Sequence, residues 1–230
     1  RITTEQKNIL PTIQDMVNRF IGIEIIDFSK EQCVIRQMEE PSDKQFESSV
    51  KRIFFIIDQF FQDLIHAMEK DDFRILEETH LTDTNLDRFH DFCCRVLNKT
   101  GSRSPHKSQL TFTTLYLLEM LADEFKSISD YLLRHGKPKN RKPILQFSQV
   151  IYKQFKLYKE LFYAFDHQKI IEIYNTSFKC FKDSPKFYAK KGTNGEQEVF
   201  YHLRKISEYI YSLTELCLEE EYYNQSIKAD

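Results

Sequence analysis

The sequence predicts an all-α protein: a six-helix bundle built from two three-helix repeats, with a small N-terminal helix and β-hairpin. Three observations lead to this prediction. Glycine and proline are scarce, at 5 and 6 of 230 residues, so few segments are interrupted. Apolar residues recur at helical spacing in six long segments. The two halves of the chain also align with each other, as copies of a duplicated unit would.

Residues 1–40 are predicted to form the small helix and the hairpin. The chain begins with Arg1 rather than Met, which suggests that this segment is the remnant of a larger N-terminal region. Thr3 and Gln6 have the spacing of a capping box, and Gly22 would end the helix. Two strands alone are only marginally stable, so the hairpin must pack on the helices or on a partner. The β-prone runs are Ile23–Ile26 and Cys33–Gln37.

Six longer helices, A to F, follow. Helix A has the clearest apolar stripe, from Val50 to Met68. Helix C begins with Ser104 as N-cap and Pro105 at its first position, and Pro185 is predicted to end or kink helix E. The predicted spans of helices A to F are about 50–68, 73–98, 105–135, 144–165, 169–183 and 196–221.

The two halves of this helical region resemble each other in sequence. Leu64–Met68 aligns with Leu161–Phe165, and Leu118–Asp123 aligns with Leu203–Glu208. Because a repeated pattern indicates a repeated structural unit, we predict a first three-helix repeat at 42–135 and a second, degenerate one at 141–225.

The candidate functional residues are pairs of carboxylates on two helices of the first repeat. Asp83 and Asp87 are four residues apart, as are Glu119 and Asp123, so each pair lies on one helix face. Like charges at this spacing destabilise a helix. Hard divalent cations, in contrast, prefer oxygen ligands and are often held by carboxylates on facing helices. The acids are therefore either a cation site or a solvated acidic face.

Three stretches resemble the PhoU family of phosphate-uptake regulators, archaeal members in particular. They are Ile21–Ile26, Val50–Phe54, and the motif Asp83-x-x-x-Asp87-Arg88-Phe89. The resemblance implies two three-helix repeats whose paired E/DxxxD motifs bind metal. It thereby implies a divalent ion, Fe, Zn, Mn or Mg, in the first repeat. The implied ligands are Asp83, Asp87, Glu119 and Asp123, with Asp91 and His90 as additional candidates.

The second repeat departs from this motif. Cys180 and Ser184 stand where Asp83 and Asp87 do, and Arg204 and Glu208 stand where Glu119 and Asp123 do. An arginine beside an acid can form an internal ion pair, which replaces a bound cation electrostatically. We therefore expect a metal ion in the first repeat and none in the second.

The resemblance also implies a function. Family members are non-enzymatic adaptors that restrain a phosphate transporter or a sensor kinase when phosphate is ample. This chain is accordingly predicted to bind a transporter or sensor component, and to form a homodimer in some settings. Two alternatives stay open: a helical protein-interaction bundle without metal, and a metal-dependent phosphohydrolase.

Composition limits the other classes of partner. The net charge of −2 does not favour direct binding of nucleic acid, and the apolar runs are too short for membrane insertion. Five cysteines without a CxxC motif indicate a reduced, cytoplasmic setting. The basic stretch Arg134–Lys142 is either a solvated linker between the repeats or a surface for phosphate or an acidic partner.

Overall fold

The computed structural model describes residues 9–29, 32–38, 40, 42–100, 105–189 and 194–229. It confirms the predicted fold class: a helical bundle preceded by a small helix and a two-stranded hairpin. A 3₁₀ helix at Phe73–Glu78 precedes the third α-helix. The elements are α1 (Ile9–Asn18), β1 (Ile23–Phe28), β2 (Cys33–Gln37), α2 (Asp43–Lys70), α3 (Thr79–Thr100), α4 (Pro105–His135), α5 (Arg141–Tyr163), α6 (His167–Ala189) and α7 (Asn194–Ala229).

Two three-helix units pack together through their long helices. Helices α2, α3 and α4 form the first unit and α5, α6 and α7 the second, with α2 against α5 and α4 against α7. Aromatic side chains fill the space between the units: the Phe61 ring lies 4.7 Å from that of Phe125 and 5.3 Å from that of Phe155. All three are almost completely buried. Part of the abundant phenylalanine therefore serves to join the units.

Helix α2 organises the first unit. Its N-terminus carries a capping box that the sequence reading did not identify: Ser42 Oγ accepts a hydrogen bond from the Gln45 N–H at 3.3 Å, and Gln45 Oε1 accepts one from the Ser42 N–H at 2.9 Å. Its predicted apolar stripe is buried. The helix ends at Lys70, and the C-cap residue Asp71 has a left-handed backbone with φ of 61°.

The turn that leads into the N-terminal hairpin lies against α3. Strands β1 and β2 pair antiparallel with an irregularity between Ile25 and Asp27. The Arg95 guanidinium donates a hydrogen bond to the Ile21 carbonyl at 2.7 Å and lies over the Phe20 ring. The hairpin therefore meets the helices through this turn and through contacts of β1 with α1. The predicted capping box at Thr3 and Gln6 lies outside the described residues, as does the predicted N-cap Ser104.

Several predicted helix boundaries differ from those of the structure. The first residues of helix B form the 3₁₀ helix, which Asp72 caps by accepting from the Arg74 N–H, and the α-helix begins at Thr79. Helix α6 does not end at Pro185 but continues to Ala189. Helix α7 begins at Asn194 and continues to Ala229, well beyond the predicted end at 221. Helix α2 begins at Asp43, ahead of the predicted 50.

Candidate functional site

Helices α3 and α4 bring the predicted acids of the first repeat to one interface. The two helices run antiparallel, because Thr79 bonds Ser129 at 3.0 Å whereas Asp83, further along α3, contacts an earlier residue of α4. His80 also bonds Asp130 at 2.5 Å. One turn further along α3, Asp83 is buried, with only 2% of its surface exposed. An aspartate at this depth requires a partner, because an unpaired buried carboxylate is strongly disfavoured.

The partner is a lysine that the sequence reading did not include in the site. Lys126 Nζ of α4 lies 2.6 Å from Asp83 Oδ2 and 3.6 Å from Asp123 Oδ1. The hydrogen bond to Asp83 raises the pKa of the Lys126 ammonium, so this group stays charged at neutral pH. Its spacing of three residues from Asp123 places both on one face of α4, and this was the available sequence signal.

Asp87 lies deeper in the interface than a solvated residue would. Burial, followed by the nearby Asp83 carboxylate, raises the pKa of Asp87. Its cationic contact is Arg19, whose guanidinium is 3.7 Å from Asp87 Oδ2. Arg19 follows α1, so the N-terminal region contributes charge to this interface.

Glu119 is the acid whose ionisation the interface disfavours most clearly. Burial raises the pKa of Glu119 to about 7, with further contributions from Asp123, Asp87, Asp83 and Asp91. This coupling shows that the two predicted motifs converge. It also shows that the carboxylates are incompletely compensated by the cations beside them.

Asp91 and His90 lie at the edge of this cluster. Asp91 contributes least of the four acids to the raised pKa of Glu119. His90 Nδ1 is 3.6 Å from Asp91 Oδ1, and its Nε2 is 3.5 Å from the Cys94 sulfur. Their predicted participation in metal binding stays a prediction.

The predicted divalent ion can be tested against this arrangement. Carboxylate oxygens are the right donors for a hard cation. However, an ammonium group already occupies the position between Asp83 and Asp123. Among the residues that the structure describes, no group of three or more His, Cys, Asp or Glu side chains is arranged to hold a metal ion. While Lys126 lies among them, these residues therefore do not fit a divalent ion. The metal ion that the family resemblance implies is untested and stays a prediction.

The corresponding face of the second repeat carries an ion pair beside an aromatic groove. Arg204 Nε lies 2.9 Å from Glu208 Oε1, as the sequence predicted, and the guanidinium lies over the Phe181 ring. Cys180 is buried beneath them, and the side chain of Ser184 is outside the described part. A groove of about 390 Å³ is lined there by residues that include Tyr174, Phe178, Phe181, Arg204, Glu208 and Tyr211.

The basic stretch between the repeats is more engaged than a solvated linker would be. Asp71, the C-cap of α2, forms two ion pairs through its Oδ1 atom. Lys137 Nζ lies 3.1 Å from this atom and Arg141 Nη1 lies 3.3 Å from it. Arg141 also donates to the Met68 carbonyl at 3.2 Å. These cations stabilise the C-terminus of α2. The linker interpretation is therefore incomplete, because two of its basic residues hold the first repeat against the start of α5.

Comparisons with known proteins address the fold. No protein-family model and no curated protein matches the chain. The crystal structure of PhoU from Pseudomonas aeruginosa is similar to it, with a TM-score of 0.65 and 11% sequence identity. The match covers 76% of this chain and 94% of that one. The fold is PhoU-like. None of the helices in the described ranges is long and apolar enough to cross a membrane.

Proposed function

We propose that this chain is a non-enzymatic regulatory adaptor of phosphate uptake, which acts by binding a phosphate transporter or a sensor component. The observation that carries this proposal is the PhoU-like fold: the superposition includes 94% of the Pseudomonas aeruginosa PhoU chain. A likeness that extends over nearly all of that chain supports a shared architecture of both repeats. Function is inferred from this architecture by analogy.

A surface of the second repeat supports a role in binding other proteins. Helix α6 exposes four large apolar side chains, each by more than half of its area. Contiguous exposed apolar surface is typical of protein-interaction sites. The four residues are Ile171, Tyr174, Phe178 and Phe181.

The state of three cysteines argues against nucleophilic thiol chemistry at these positions. Burial raises the pKa of the Cys93 thiol to about 12, that of Cys94 to about 11 and that of Cys217 to about 12. These thiols are protonated at neutral pH, and a protonated thiol is a poor nucleophile. Their role is in packing.

Uptake of labelled phosphate tests the proposal. In the cell that makes this protein, deletion of its gene should increase phosphate uptake when phosphate is ample. Expression of the wild-type chain in the deleted cells should bring uptake back to the parental level. Phosphate-starved cells are the control, since uptake there is unrestrained in both strains. Equal uptake in deleted and parental cells under ample phosphate would contradict the proposal.

The second candidate is a helical interaction bundle with no link to phosphate, and the same exposed stripe on α6 favours it. The two candidates differ in the partner. Purification of the chain from its own cells after cross-linking should yield transporter or sensor subunits if it regulates phosphate uptake. Unchanged uptake together with a stoichiometric partner of another system would favour the second candidate.

A further inference from the structure

We propose that Lys126 is the resident cation of the acidic interface between α3 and α4, so that this repeat holds its helices together without a divalent ion. The inference concerns the chain's own residues and holds whether or not the protein regulates phosphate uptake. It disagrees with the metal site that the family resemblance implies.

The position of the ammonium group is the first step. Lys126 extends from α4 to Asp83 on α3, and it also lies near Asp123 on its own helix. It therefore joins acids from both helices, which is the structural role that a bound ion would have at this interface. At 2.6 Å, the contact with Asp83 is a short charge-assisted hydrogen bond. The burial of Asp83 strengthens it, because water does not compete there.

The charges explain why the lysine and a divalent ion exclude each other. A metal ion between Asp83 and Asp123 would have to displace the Lys126 ammonium or lie beside it. A positive charge close to a divalent cation weakens binding of that cation by a direct Coulomb term. Displacement would in turn leave a charged ammonium without its buried partner. Either route opposes metal binding while Lys126 is present.

The second repeat also has a side-chain cation beside the acid of its motif, but from a different residue. There the cation is Arg204, which precedes Glu208 by four residues and pairs with it at 2.9 Å. Lys126 instead follows Asp123 by three residues. The two cations therefore come from different positions of the repeat. In each repeat a cation of the chain itself lies beside acids of the motif.

The experiment compares wild type with Lys126→Met, which keeps a side chain of similar length but removes the charge. Lys205→Met is the matched control, because Lys205 also lies three residues from an acid: its Nζ is 3.8 Å from Glu208 Oε2. The two lysines are similarly exposed, at 34% and 36%. Each protein is freed of metal by a chelator, then titrated with Mn²⁺ in a calorimeter and melted with and without Mn²⁺ at neutral pH and low salt.

We expect neither Mn²⁺ nor chelator to change the melting temperature of wild type or of Lys205→Met. Lys126→Met should melt a few degrees lower in chelator and should recover on addition of Mn²⁺. Its affinity for Mn²⁺ should exceed that of wild type by at least about tenfold, because a neighbouring positive charge is gone. Lys126→Arg keeps the charge and should behave as wild type.

Two results would overturn the proposal. One is Mn²⁺ bound by wild type and lost in Asp83→Asn. The other is a Lys126→Met variant that melts like wild type in chelator and gains no affinity for Mn²⁺. If Lys126→Met does not fold in chelator, its refolding in the presence of Mn²⁺ supports the proposal. The titration of wild type remains decisive in that case, because binding of Mn²⁺ at this site by wild type would overturn the proposal.

Discussion

Glu119→Gln should stabilise the protein above neutral pH and lose this advantage in acid. The glutamate is partly buried among other carboxylates, and this environment raises the pKa of Glu119 from 4.5 to about 7. Between these two values the folded state holds a proton that the unfolded state has released. Stability must therefore fall as the pH rises through this window. Glutamine keeps the shape of the side chain and removes the charge.

The magnitude follows from the same pKa. A carboxyl raised from 4.5 to about 7 would cost the folded state about 3.4 kcal/mol at high pH if the whole difference counted, at 1.36 kcal/mol per pH unit. Glu119 is only partly buried, and solvent screens its repulsion. We therefore expect the substitution to raise the free energy of unfolding by about 1 kcal/mol at pH 8. In a chain of this size that is a rise in melting temperature of about 2–4 °C.

Thermal and urea unfolding at pH 5 and pH 8, both in chelator, measure the effect. At pH 5 the folded wild type is already protonated at Glu119, so most of the advantage of the variant should be gone. Glu219→Gln is the control: this glutamate is exposed on α7, and its substitution should change stability by less than about 0.5 kcal/mol at either pH. The reasoning would be refuted if Glu119→Gln were no more stable than wild type at pH 8. It would also be refuted if the gain in stability over wild type were the same at pH 5 and pH 8.

Three further substitutions test the fold by urea unfolding. Phe61→Ala should cost about 3–5 kcal/mol, because this buried ring contacts aromatic residues of both repeats; a loss below 1 kcal/mol would contradict that packing. Ser42→Ala removes the α2 cap and should cost about 0.5–2 kcal/mol, whereas Ser48→Ala nearby should be almost neutral. Gly136→Ala should cost about 1 kcal/mol through its φ of +82°, with no steric contribution, since nothing lies within 4 Å; an unchanged midpoint would exclude backbone strain there.

The helices and the faces of the acids could be read from the sequence, because both follow from local geometry. A stripe such as Val50 to Met68 reports the 3.6-residue period directly, and residues four apart share a face whatever the rest of the chain does. Local rules also identified the Arg204–Glu208 pair, since both members lie on one helix and within one turn. The start of α4 at Pro105 and the end at Gly136 have the same origin.

Contacts between helices were decided only by the tertiary structure. Whether the acids meet a metal ion or a side chain depends on which residue of α4 faces Asp83, and this follows from the packing offset of α3 and α4 rather than from either helix alone. Lys126 could therefore not be predicted as the partner of Asp83, although its spacing of three residues from Asp123 is evident in the sequence. The continuation of α6 past Pro185 also departs from the local rule that a proline ends a helix.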